Sequence, residues 1–164
     1  MTTDILRTHL DYTLWASGRL LEAAAGLTQE ELNRDFGTAD KSVLGTLVHV
    51  FAADRIWLSR VQGPVRATFI DPEDRNLEVL RRDWPPVLEV WKKLMAGHTD
   101  ETVKDLVSFK DMKGNPYQQP LWEIVLHMVN HGTHHRWQAS GFLRTMGKTP
   151  PPLDLIYYYR QLSR

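Results

Sequence analysis

The chain has 164 residues, with 20 basic and 20 acidic side chains and a formal net charge of zero. That length suits one domain able to bury its own core, and the charge balance, with no basic run longer than Arg81-Arg82, argues against nucleic acid as a partner. Cysteine is absent, which excludes disulfides, thiolate metal ligands and a nucleophilic thiol from the protein itself.

The N-terminal stretch MTTDILRTHL lacks the basic and apolar regions of a secretory signal, and no run of about 18 apolar residues offers a membrane span. The expectation is a cytoplasmic protein with neither a membrane nor a nucleic-acid partner. From Asp4 to about Ala25, Leu6, Leu10, Leu14, Leu21 and Ala24 share one helical face; Thr3 or Asp4 is placed to cap it, and Gly26 ends the block. LTQEELNRDFGTADKS then reads as a loop, with a short helical turn after Thr28 because TQEE supplies a capping box.

A second helix runs from near Ser42 to the stop signal Gly63-Pro64. At about 100° per residue, the side chains nearest its His49 are Gly45, Ala52, Ala53 and Ile56, a small apolar face that another helix could approach closely. The third helix, from about Asn76 to Gly97, carries Leu77, Leu80, Trp84, Leu88, Trp91 and Leu94 in one row. Pro85-Pro86 interrupts it, so the helix either starts at Trp84 or is kinked there.

LVSFKDMKGNPYQQPL reads as a short β-hairpin or an irregular excursion, with KGNP as its turn. The fourth helix should run from about Pro120 to Met146, with Gly147 after its end. The tail KTPPPLDLIYYYRQLSR has apolar residues suited to packing back. The fold class is therefore all-α: a four-helix bundle with long crossover connections, occupying residues 1–164 as a single domain.

HMVNHGTHHRWQ, residues 127–138, holds four of the seven histidines. In projection His131 and His135 fall within roughly 20° of Ile124, in the stripe of Leu121, Met128, Ala139 and Phe142. They point inward, whereas His127 and His134 sit to one side. Two imidazoles at i and i+4 can converge on one ion. His49, on the apolar face of another helix, offers a third donor, because bundle cores assemble metal sites from facing helices. Three imidazoles without a fourth protein ligand would leave a position for water or substrate.

The ordinary alternative is that a histidine on an apolar face is a hydrogen-bonded core residue. Two inward imidazoles one turn apart, however, each need a buried partner, and a metal supplies one for both. His9 and His98 have no partner spacing. No general acid or base stands out. His134 is a candidate proton shuttle, and Gln138, near His131 in projection, is a candidate to orient a bound water or ligand histidine. Glu123 suits the first turn of its helix. Asp54 projects roughly 140° from His49 and suits a salt bridge with an arginine.

SVLGTLVHVFAADRIWLSR, YQQPLWEIVLHMVNHGTHHRWQ and GKTPPPLDLIYYYR together resemble the DinB-like superfamily of bacterial four-helix proteins. The resemblance implies that His49, His131 and His135 hold one divalent ion per chain, zinc or nickel foremost, with iron, manganese and copper as alternatives. It also implies a homodimer. Some members of the superfamily are metal-dependent transferases or isomerases that use a low-molecular-weight thiol such as mycothiol or bacillithiol. A small-molecule substrate of that kind is the leading expectation; metal-assisted hydrolysis, or a non-enzymatic stress-response protein binding a metal or small molecule, are the alternatives. One position departs from the family: HHRWQ stands where HHRGQ is usual, so Trp137 replaces a glycine. Trp137 forms a second row with Trp122, Leu126, Val129 and Thr133, a face expected to be covered by the C-terminal tail or by a second copy.

Overall fold

The computed structural model describes residues 2–63 and 69–163. In chain order it contains α1 (Thr3–Ala25), the short α2 (Gln29–Asn33), α3 (Val43–Gln62), α4 (Leu77–Ala96), strands β1 (Leu106–Lys110) and β2 (Pro116–Pro120), α5 (Leu121–Thr145) and α6 (Leu155–Leu162). The fold is all-α apart from that antiparallel hairpin. α1 and α3 each pack against both α4 and α5. The long helices therefore follow one another around the bundle as α1, α4, α3, α5, and the links from α1 to α3 and from α4 to α5 are crossovers. Among the described residues no helix is long and apolar enough to cross a membrane.

Local side-chain caps set the starts of α2, α3 and α4. Ser42 Oγ accepts from Gly45 N, and Asn76 Oδ1 accepts from Val79 N, each satisfying an orphan donor at a helix start. The capping box of TQEE forms as expected around Thr28 and Glu31. α1 is different: its N-cap is Thr2, with no side-chain cap bond, so neither Thr3 nor Asp4 plays that role. Asp100, beyond the end of α4, accepts from Thr3 N and Thr3 Oγ1, both at 2.7 Å. A distant carboxylate thus meets both the free N–H and the positive end of the dipole.

α4 begins at Leu77 and continues through Pro85 and Pro86, so it does not start at Trp84. The prolines deprive the carbonyls of Arg81 and Arg82 of their helical partners. Those two residues are exposed, and water can serve them, while Leu80, Trp84, Leu88 and Trp91 on the other face are buried and hold the helix by packing. α3 ends at Gly63, whose φ is 101°; Pro64 lies outside the described residues. The tail packs on α1 as expected. Leu153 and Tyr158 are buried, and Tyr12 Oη donates to Leu153 O at 2.8 Å.

The core has two apolar parts, one around Leu20, Phe51, Trp84 and Ala139, the other around Leu6, Leu58, Trp91 and Met128. A buried polar layer lies between them. Trp84 Nε1 donates to Asp54 Oδ2 at 2.8 Å and Trp91 Nε1 to Asp54 O at 3.2 Å, while Arg136 donates to Ser17 Oγ at 3.3 Å and to Thr133 Oγ1 at 3.1 Å. Gly132 makes room for this arginine, since a Cβ there would lie 2.7 Å from Arg136 Nη1.

Candidate metal centre

The α3–α5 contact brings His49 to face His131 and His135. Their ring centroids are 5.0 Å (His49–His131), 4.4 Å (His49–His135) and 4.5 Å (His131–His135) apart. One ring nitrogen from each lies within 4.8 Å of the others, and the Nε2 atoms of His49 and His131 are 3.0 Å apart. Burial acts first to push the His131 pKa down to about 4, with the neighbouring histidines adding to it. Burial also lowers that of His135.

Both shifts favour the neutral, lone-pair-bearing form of His131 and His135. The Nδ1 of His131 is buried without a hydrogen-bond partner, and the three-nitrogen set has the chemistry of a divalent transition-metal site. The residues fit such an ion. Among the described residues, no fourth carboxylate or histidine ligand joins the group, so an ion held there would keep a position for an exogenous ligand.

The other candidates separate. His134 is exposed and stands outside the cluster, its ring edge-on to His135 at 5.0 Å. His127 is also outside; it meets the Trp57 ring edge-on at 5.0 Å, and burial followed by the charge of Arg60 lowers its pKa. Gln138 contacts His135, not His131: its Oε1 is 3.0 Å from His135 Nδ1. Asp54 is fully buried and is not part of the histidine group. Its hydrogen-bond partner is Trp84, and burial raises its pKa from 3.8 to about 7 against the opposing effects of that bond and of the Arg136 charge.

Sequence spacing missed Asp40. Its Oδ1 lies 3.5 Å from His49 Nδ1 and its Oδ2 3.4 Å from His135 Nδ1. It sits in the loop before α3, where no periodicity relates it to either histidine, and its only signal is an acid close to the Ser42 cap. The small face of α3 meets α5 at His49, but on either side of it the neighbour differs from the helix expected. At Gly45 a Cβ would collide with the carbonyl oxygen of Asp40. Further along, the same face floors a cleft of ≈ 590 Å³ that includes His49, Val48, Ala52 and Ile56, with Phe69 and Arg75 also in its lining.

Trp137 remains 39% exposed, with the Arg144 guanidinium 5.7 Å from its ring centre. A groove of ≈ 390 Å³ lies between it, Tyr12 and Leu155. The second row of α5 is thus covered only in part: Val129 is buried, but Trp122, Leu126 and Thr133 are half-buried, and the tail residues Asp154 and Leu155 share the groove with Leu126, Val129 and Thr133.

A helical bundle that gathers three imidazoles beside an open cleft defines a class, that of bundle proteins with a candidate divalent-metal centre. The sequence model of the DinB family matches residues 1–162, and the chain belongs to that family. It is similar to protein DinB of Bacillus subtilis strain 168, with 20% identity over 156 residues, 90% of each chain. Its fold is similar to the crystal structure of a DinB-like protein from Bacillus cereus ATCC 10987, with a TM-score of 0.66 and 20% identity over 88% of this chain and 94% of that one.

Proposed function

We propose that the chain binds one divalent ion through His49, His131 and His135 and catalyses transfer or isomerisation of a small electrophile with an external low-molecular-weight thiol. The observation that carries this reading is the convergence of three imidazole nitrogens within 4.8 Å on a histidine that also lines the cleft. Family membership supports it. Zinc and nickel rank first, and iron, manganese and copper also suit imidazole ligands. Such an ion supplies a Lewis-acidic position that lowers the pKa of a coordinated thiol.

The chain's own residues divide the remaining tasks. Val48, Ala52, Ile56 and Phe69 in the cleft match the apolar body of an electrophile, and Arg75 matches an anionic substituent. His134, exposed and edge-on to His135, is the residue we assign to accept the thiol proton. Gln138 fixes the His135 ring. The homodimer implied by the family belongs to the same reading and is read by sedimentation equilibrium.

The test is to strip the protein, reload it with zinc or nickel, and follow thiol consumption with several low-molecular-weight thiols and electrophiles against a metal-free control. Thiol loss that requires the metal is expected, as is loss of bound metal in His49→Ala, His131→Ala and His135→Ala. Full metal retention in all three variants would sink the site. Metal-dependent hydrolysis without thiol would replace the thiol reading with a hydrolase.

A further inference from the structure

We infer that Asp40 is a positioning carboxylate shared by two of the three histidines: it takes the Nδ1–H of both His49 and His135 and so turns their Nε2 lone pairs toward His131. The inference rests on the metal-binding reading above. A neutral imidazole carries its proton on either nitrogen, and it ligates only through the other. Whatever accepts from Nδ1 therefore decides whether Nε2 is free.

Asp40 presents one oxygen to each ring, Oδ1 to His49 Nδ1 at 3.5 Å and Oδ2 to His135 Nδ1 at 3.4 Å. These contacts are long for hydrogen bonds; what the fold fixes is the carboxylate's place between the rings. At His135 the second acceptor, Gln138 Oε1 at 3.0 Å from the same nitrogen, specifies the same tautomer. At His49 the opposite nitrogen already faces His131 Nε2 at 3.0 Å. With His49 protonated at Nδ1, that contact has His131 Nε2–H as the donor in metal-free protein. Asp40 lies behind the His49 and His135 rings, on the Nδ1 side, and so backs the ligands without joining them.

The loop that carries Asp40 is built to hold it there. Phe36 N donates to Lys41 O at 2.7 Å, Lys41 N to Thr38 O at 3.0 Å, and Ser42 N to Asp40 O at 2.7 Å. Lys41 has φ 62°, a left-handed conformation that is uncommon for a residue with a side chain and that persists only where its surroundings impose it. One end of the loop is pinned to α5, the helix of His135, by the Phe36 ring stacked on Phe142 at 4.3 Å and 3°. The other end closes on α3, the helix of His49, because Gly45 has no Cβ to meet the Asp40 carbonyl. One loop thus spans both ligand-bearing helices and places its carboxylate, only 16% exposed, between their histidines.

Two measurements test this on the full chain. In metal-free protein, long-range ¹H–¹⁵N spectra of ¹⁵N-labelled histidines should show Nδ1–H at His49 and His135 and Nε2–H at His131. A wild-type His49 protonated at Nε2 overturns the inference, whatever the variants do. Zinc competition titrations should then show Asp40→Asn and Asp40→Ala binding about 10- to 100-fold more weakly than wild type, with mixed tautomers at His49 and an unchanged far-UV circular dichroism spectrum. Asp40→Glu should recover part of the affinity. Wild-type zinc affinity and wild-type tautomers in Asp40→Asn overturn the proposal. A wild-type protein that fails to bind any divalent ion overturns the metal reading instead, and the tautomers of the metal-free protein still decide the place of Asp40.

Discussion

Asp54→Asn should remove most of a pH dependence of stability that the fold creates between pH 5 and 8. Asp54 is fully buried and its pKa is raised from 3.8 to about 7, by desolvation first, with the Trp84 hydrogen bond and the Arg136 charge pulling the other way. The folded protein thus holds this proton more tightly than the unfolded chain does. The resulting stabilisation is complete below about pH 4 and is lost as pH rises through about 7. At about 1.4 kcal/mol for each tenfold in proton affinity, the whole effect is about 4 kcal/mol, of which about 2–3 kcal/mol falls between pH 5 and 8. An asparagine carbonyl can still accept from Trp84 Nε1 and cannot titrate. The assay is urea denaturation at a series of pH values, read by the fluorescence of the buried Trp84 and Trp91, both bonded to Asp54. Histidine titrations occur in both proteins, so the difference between them isolates Asp54. Wild type should lose about 2–3 kcal/mol relative to the variant from pH 5 to pH 8; parallel stability curves would refute the reasoning.

Two further outcomes bear on the site. His134→Ala should keep wild-type metal content, because the side chain lies outside the histidine cluster, while metal-dependent thiol turnover falls by about 10²-fold; undiminished turnover would place the proton acceptor elsewhere. Gly45→Ala forces the Asp40 carbonyl away from α3 and should cost about 1–3 kcal/mol of stability in urea. It should also weaken zinc binding in the same direction as Asp40→Asn, although it removes no polar group. Unchanged melting and unchanged zinc affinity would mean that the loop yields freely.

What was legible in the sequence is what short-range periodicity controls. The helical rows of α1, α3, α4 and α5 emerged at helical spacing, and His131 and His135 could be paired because i and i+4 share a face in any helix. His49 could be added because an apolar face must meet another element, and α3 does meet α5. The Asp100 contact at the start of α1 joins residues 97 positions apart in sequence, and no local pattern encodes such a contact. α4 passes through two prolines because the packing of Leu80, Trp84, Leu88 and Trp91 outweighs a local penalty that the sequence states plainly.

The face of α3 beside His49 shows the limit most clearly. Gly45, Ala52 and Ala53 announce that something comes close to the helix, and spacing gives no means of saying what. At Gly45 the neighbour is the backbone of the Asp40 loop; at Ala52 and Ala53 it is the open volume of the cleft. The same economy of side chain thus serves two ends: at Gly45 it admits the backbone of the loop whose carboxylate backs two histidines, and about two turns on it leaves space beside them. Small residues next to an inward histidine are therefore evidence of proximity, and only the path of an aperiodic loop decides whether that proximity orients a ligand or admits a substrate.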